Sequence, residues 1–161
     1  HVQLLGRRHE LDVIDYAFTL ARILQYLHGL EPPLVHRDLT PDNIILDNEE
    51  KLHLIDFGAA NELIGTATGT MVGKQCYMAP EQFKGKATTR SDLYSLGATL
   101  AFLLTGKDPL PMNPVDINSE NSDFQIRPSL NQLVLTLTDL DESKRGTAAQ
   151  VIQTLQSISR E

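Results

Sequence analysis

The sequence predicts a mainly α fold with one short β-hairpin, an α+β architecture in a single domain spanning residues 1–161. Three observations predict it. Apolar residues recur at spacings of three and four over residues 13–27, and again in two segments near the C-terminus, as they do in helices with one buried face. The stretch from Ser91 to Thr105 is apolar almost all round, which marks a helix buried on every side. Only between residues 44 and 55 do two short apolar runs flank a polar turn in the manner of a hairpin.

In chain order, Asp12-Val13-Ile14-Asp15 reads as a helix start, a short acceptor followed by an acid near the third position. Val13, Ala17, Leu20, Leu24 and Leu27 supply its apolar face, and Gly29 with Pro32-Pro33 stops it. Ile44-Ile45-Leu46 and Leu52-His53-Leu54-Ile55 are the strand-like runs, separated by Asp47-Asn48-Glu49-Glu50. After the buried helix, Gly106 provides a stop. Residues Pro109 to Pro128 carry prolines, Asn and Ser without period and predict an irregular surface connection. Two capping boxes, Ser129 with Gln132 and Thr147 with Gln150, then open two helices. Their apolar faces are Leu130, Leu133, Val134, Leu137 and Val151, Leu155, Ile158.

Composition narrows the function. A 161-residue chain that is 41% hydrophobic can bury one core. A net charge of -7 argues against a nucleic-acid partner, because phosphate backbones are bound by clustered Lys and Arg. Cys76 is the only cysteine, which rules out an internal disulfide and fits a reducing, cytoplasmic setting. No apolar run reaches membrane-spanning length, and no leader-like segment opens the chain. The first residue is His, so the sequence reads as a piece of a longer protein.

The chemistry-bearing residues are concentrated in three ordered motifs. His36-Arg37-Asp38-Leu39-Thr40-Pro41-Asp42-Asn43 is followed by Asp56-Phe57-Gly58 and then by Ala79-Pro80-Glu81. Taken singly, Asp and Asn are common turn residues. In this order and spacing the motifs resemble the catalytic loop, metal-binding turn and activation-segment closure of eukaryotic-type protein kinases. The resemblance implies a kinase C-terminal lobe acting with ATP and Mg2+ on protein serine or threonine hydroxyls. It makes Asp38 the group that accepts and orients the substrate hydroxyl, and Asn43 and Asp56 the magnesium ligands. It makes Ile45 part of the floor under the adenine and His36 a structural residue beneath Phe57. Glu81 would pair with Arg145, and Asp92 would hold the backbone of the catalytic loop, with helix N-cap as its alternative role. Arg37 marks the kind of loop often regulated by phosphorylation. Thr66, Thr68 and Thr70 are then either phosphorylation sites or simply small polar residues of a loop.

Two positions depart from the family pattern. Serine/threonine kinases usually carry lysine where this chain has Thr40, and threonine where it has Lys74. The two residues look exchanged, either as a compensating swap or as two independent changes in a degenerate or weakly active kinase. The exchange predicts that the Lys74 ammonium lies within hydrogen-bonding reach of Asp38, with Thr40 facing it to share the contact.

No Gly-rich loop and no V-A-I-K strand precede His36, so the N-terminal ATP-binding lobe is expected to be missing and the isolated lobe to be inactive. A complete kinase domain needs roughly 250 residues, near the upper size of one domain. Loss of the lobe is expected to uncover apolar surface around Ile45, Phe57 and the helix holding Leu20 and Leu24, and to favour self-association through the segment Gly58 to Val72. The competing readings are a pseudokinase or scaffold, against which Asp38, Asn43 and Asp56 speak, and a small-molecule phosphotransferase of the aminoglycoside kinase type. The latter lacks the Ala79-Pro80-Glu81 closure.

Overall fold

The computed structural model describes residues 2–3, 6–55, 74–120 and 124–161. Asp56, Phe57, Gly58, Thr66, Thr68 and Thr70 lie outside the described residues.

The chain is mainly helical with a small antiparallel sheet. Strand β1 (Val2–Gln3) is followed by helix α1 (Glu10–His28), a 3-10 turn at Pro41–Asn43, and strands β2 (Ile44–Leu46) and β3 (Leu52–Leu54). Helices α2 (Thr89–Thr105), α3 (Ile117–Glu120), α4 (Pro128–Leu137) and α5 (Ala148–Ile158) complete it. The hairpin pairs Ile44 with Leu54, Ile45 with His53 and Leu46 with Leu52, and β1 adds antiparallel to the other edge of β2. Asp47 closes the hairpin turn: its Oδ1 accepts from the Glu49 and Lys51 amides at 2.8 and 2.9 Å.

Helix α1 packs on α2 and α5, and α4 packs on α2 and α5, so the four long helices share one core. Every residue of α2 from Ser91 to Ala101 is buried, as its largely apolar sequence predicts. Gly97 lets α4 approach closely, because a Cβ there would stand 2.6 Å from Leu137 Cβ. Gly106 ends α2 in the left-handed conformation (φ 75°), and its amide donates to the Phe102 carbonyl at 2.7 Å.

Four sequence expectations change. Helix α1 begins at Glu10, ahead of Asp12, and is capped by His9, whose side chain accepts from the Leu11 amide. Glu10 and Asp12 then both fall in the first turn, where negative charge suits the helix dipole. Helix α4 has no capping box. It starts on Pro128, a residue suited to a helix's first turn, while the Ser129 hydroxyl bonds Glu161. The box at Thr147 and Gln150 is present. The connection from Pro109 to Pro128 is not confined to the surface, because Val115, Ile117 and Ile126 join the core and α3 forms inside it. Finally, Leu20 and Leu24 are fully buried against the lobe's own helices, so α1 leaves no apolar face open there.

Candidate active site

The loop from His36 to Thr40 hangs on one buried carboxylate. Asp92, fully buried in α2, accepts from the His36 amide at 2.9 Å through Oδ2 and from the Arg37 amide at 2.8 Å through Oδ1. His28, at the end of α1, places Nε2 2.8 Å from the same Oδ2. Asp92 is free for this because the N-cap of α2 is Thr88, with Ser91 completing its capping box. A buried carboxylate is costly unless its lone pairs are met, and here the loop backbone and a histidine meet them.

The loop's strained point lies between its anchors. Arg37 has φ 70°, a region that side-chain-bearing residues avoid and that persists only where surroundings enforce it. Its amide is held by Asp92, and its carbonyl accepts from Gln82 Nε2 at 3.1 Å. Gln82 Oε1 in turn accepts from the Ala79 amide at 3.0 Å. One residue thereby ties the Ala79-Pro80-Glu81 closure to the loop. The Thr99 hydroxyl adds a third peg, on the Leu39 carbonyl at 3.3 Å.

At the tip, Asp38 faces two donors. Asn43 Nδ2 donates to the Asp38 carbonyl at 2.7 Å and to its Oδ2 at 2.9 Å, and Lys74 Nζ stands 2.6 Å from the same Oδ2. The Lys74 side chain is 37% exposed and that of Asp38 13%. Thr40 does not share the contact: its hydroxyl is buried and without a hydrogen-bond partner among the described residues. The hydrogen bonds that the Asp38 carboxylate receives from Asn43 and Lys74 both fall on Oδ2. His36 supports the loop locally, accepting from the Asp38 amide at its Nδ1 (3.3 Å). Ile45 lies half-buried in the middle of β2.

Asn43 has both nitrogen bonds committed to Asp38, which leaves its Oδ1 as the remaining polar atom of the side chain. A hard oxygen of this kind suits Mg2+. Among the described residues no group of three or more His, Cys, Asp or Glu could hold a metal. A site completed by phosphate oxygens and water fits that ion's habits.

Glu81 and Arg145 form a forked pair, Nη1 to Oε1 at 2.6 Å and Nη2 to Oε2 at 3.1 Å. The Arg145 side chain is wholly buried; it also donates to the Asp139 and Arg90 carbonyls and lies over the Tyr94 ring. Burial works to raise the Glu81 carboxyl, but the Arg145 guanidinium and the Ser91 hydroxyl outweigh it and hold it below its ordinary value. Beside this pair, the turn Gln75–Tyr77 is fixed to α2 by the Ser95 hydroxyl, which donates to the Tyr77 carbonyl at 2.7 Å. The Tyr77 hydroxyl bonds Asp108, and burial together with that carboxylate pushes the phenol well above its ordinary range.

Sequence reasoning missed His28, Gln82, Ser95 and the Tyr77–Asp108 bond. Gln82 directly follows a recognised motif and could have been suspected. His28 meets Asp92 across 64 positions, and no local pattern announces such a contact.

A helical lobe that suspends an acid-bearing loop from a buried aspartate, beside a short hairpin, defines the class: the C-terminal lobe of a protein-kinase-like fold. The protein kinase domain family model matches residues 5–155. The chain belongs to that family. It is 32% identical over 155 residues to serine/threonine-protein kinase D of a Synechocystis species, covering 87% of this chain and 30% of that protein. A probable serine/threonine-protein kinase of Clostridium acetobutylicum is 32% identical over 164 residues, covering 91% of the chain and 24% of the relative. Serine/threonine-protein kinase PknA of a Nostoc species is 42% identical over 113 residues, covering 65% and 20%. The chain thus spans 20 to 30% of the length of these relatives.

Proposed function

We propose that the chain is the C-terminal lobe of a serine/threonine protein kinase, and that the intact protein transfers the terminal phosphoryl group of ATP to protein hydroxyls. The observation that carries this reading is the Asp38 carboxylate, held by Asn43 at 2.9 Å and Lys74 at 2.6 Å on a loop pegged to buried Asp92. Phosphoryl transfer asks a protein chiefly for positioning and charge neutralisation, and this arrangement supplies both. Asp38 orients the substrate hydroxyl and takes its proton as the oxygen bonds phosphorus and the nucleoside diphosphate leaves. Asn43, through Oδ1, and Asp56 would hold magnesium, which when bound neutralises charge on the phosphates. Lys74 supplies a cation at the same point, and half-buried Ile45 offers an apolar floor for a base.

His36, Phe57 and Gly58 serve the frame of the site in this reading. Arg37 would receive a phosphate placed on Thr66, Thr68 or Thr70. No described helix is long and apolar enough to cross a membrane, and we place the kinase in the cytoplasm. The lobe alone should be inactive, because the phosphate-covering loop and the lysine–glutamate pair that kinases require come from the other lobe.

In the intact kinase, Asp38→Asn should lower peptide phosphorylation by about 10²–10⁴-fold, the usual contribution of a positioned base, with the melting temperature unchanged. Near-normal turnover by a folded Asp38→Asn protein would overturn the catalytic reading in favour of a scaffold.

A further inference from the structure

Gln82 is 2% exposed, and its hydrogen bonds join two separate segments of the site. Its backbone amide donates to the Ala79 carbonyl at 2.9 Å, while its Oε1 accepts from the Ala79 amide at 3.0 Å. The side chain is thereby locked to the Ala79-Pro80-Glu81 turn at both polar groups of one residue. Its Nε2 then donates to the Arg37 carbonyl at 3.1 Å. A carboxamide suits this work, because one of its atoms accepts and the other donates.

The carbonyl that Gln82 reaches belongs to the peptide unit joining Arg37 to Asp38. At the other end of that unit the Asp38 amide donates to His36 Nδ1 at 3.3 Å. A peptide unit is planar, so a bond to its oxygen and a bond from its nitrogen fix the tilt of the whole plane, and with it the Asp38 Cα. His36 belongs to the same loop and moves with it, whereas Gln82 ties the plane to a different segment. The tie falls where the backbone is under load, since Arg37 stands at φ 70° and such a conformation persists only while its surroundings enforce it. Released at its carbonyl, Arg37 can turn toward an ordinary φ, and that rotation carries the loop beyond it, beginning with Asp38. Asn43 and Lys74 hold the Asp38 side chain at its oxygen; Gln82 holds the backbone from which that side chain starts.

We propose that Gln82 is a positioning residue for the reaction. By fixing the peptide unit that precedes Asp38, it sets where the Asp38 carboxylate stands, and it makes that placement depend on the seating of the Ala79-Pro80-Glu81 turn. Gln82 bonds backbone groups only and touches no reacting atom, so it acts through Asp38. This rests on the phosphoryl-transfer reading above.

The test measures steady-state phosphorylation of casein by the intact kinase. Gln82→Met keeps the length of the side chain and removes both polar atoms; Gln82→Asn keeps the amide and shortens its reach. Each should lower kcat by about a hundredfold, the scale of a small misplacement at a reacting group, with the KM for ATP unchanged. In an Asp38→Asn background the same substitutions should add little further loss, because residues that act through one another are not additive. Val151→Ala, which opens a cavity in α5, should lower the melting temperature and leave kcat as it was. Wild-type kcat in a folded Gln82→Met protein would overturn the proposal. So would a loss that adds in full to that of Asp38→Asn, or one that Val151→Ala reproduces at the same melting temperature. Where Gln82→Met does not fold, Gln82→Asn carries the same comparisons. A wild-type protein that phosphorylates neither casein nor itself with magnesium and ATP would instead overturn the kinase reading.

Discussion

At the scale of residues, the lobe is organised by buried charges whose partners are specified atom by atom. Arg145 is wholly buried and spends its donors on Glu81 and on the Asp139 and Arg90 carbonyls. Removing one member strands the other, which costs about 3–5 kcal/mol for a buried pair. Arg145→Leu should therefore lower the urea midpoint steeply, and the double variant Glu81→Leu/Arg145→Leu should be less damaged than the sum of the single changes. The pair should also make stability pH-dependent. The folded Glu81 carboxyl lies below its ordinary value of 4.5, so the unfolded chain binds the proton first as pH falls. The contribution is whole above 4.5 and disappears as pH drops through the depressed folded value. Urea midpoints measured on either side of 4.5 should fall on the acid side, and Glu81→Gln should flatten part of that slope. An unchanged slope in Glu81→Gln would assign the acid sensitivity elsewhere.

At the scale of elements, the helices follow from pattern, but their seating depends on single atoms. Helix α2 is buried on every side over residues 91–101, so its period does not tell which face meets which neighbour. Gly97 settles one face, because α4 passes where a side chain would stand. Gly97→Ala would place a methyl 2.6 Å from Leu137 Cβ, and overpacking of this kind costs typically about 1–3 kcal/mol. Thermal melts should show the loss, and Leu137→Ala in the same chain should not recover it, because alanine keeps the Cβ that the new methyl meets. Capping shows how local signals compete. Thr147-Ala148-Ala149-Gln150 forms the box that its residues encode, whereas Ser129 is overruled by Pro128, which begins α4 two residues ahead of the start that a Ser129 cap would give.

At the scale of the whole molecule, α1, α2, α4 and α5 enclose one core, which predicts a single cooperative unfolding transition. Far-UV circular dichroism and tyrosine fluorescence should give the same urea midpoint; separate midpoints would divide the lobe into independent units. The enclosure also removes part of the reason for expecting self-association, since Leu20 and Leu24 face inward. The helical class, the hairpin and the order of the motifs were legible in the sequence, because periodicity and contiguous motifs are properties of neighbouring residues. The sequence also pointed to Lys74 beside Asp38, through an exchange of residue types between two known positions. What holds those residues in place is set by contacts between segments far apart in the chain. His28 reaches Asp92 across 64 positions and Gln82 reaches the Arg37 carbonyl across 45. Thr40, two residues from Asp38, has a buried hydroxyl with no hydrogen-bond partner among the described residues. A hydrogen bond forms between atoms that packing brings within 3.5 Å at a suitable angle, and that separation is fixed by the shared core, not by distance along the chain.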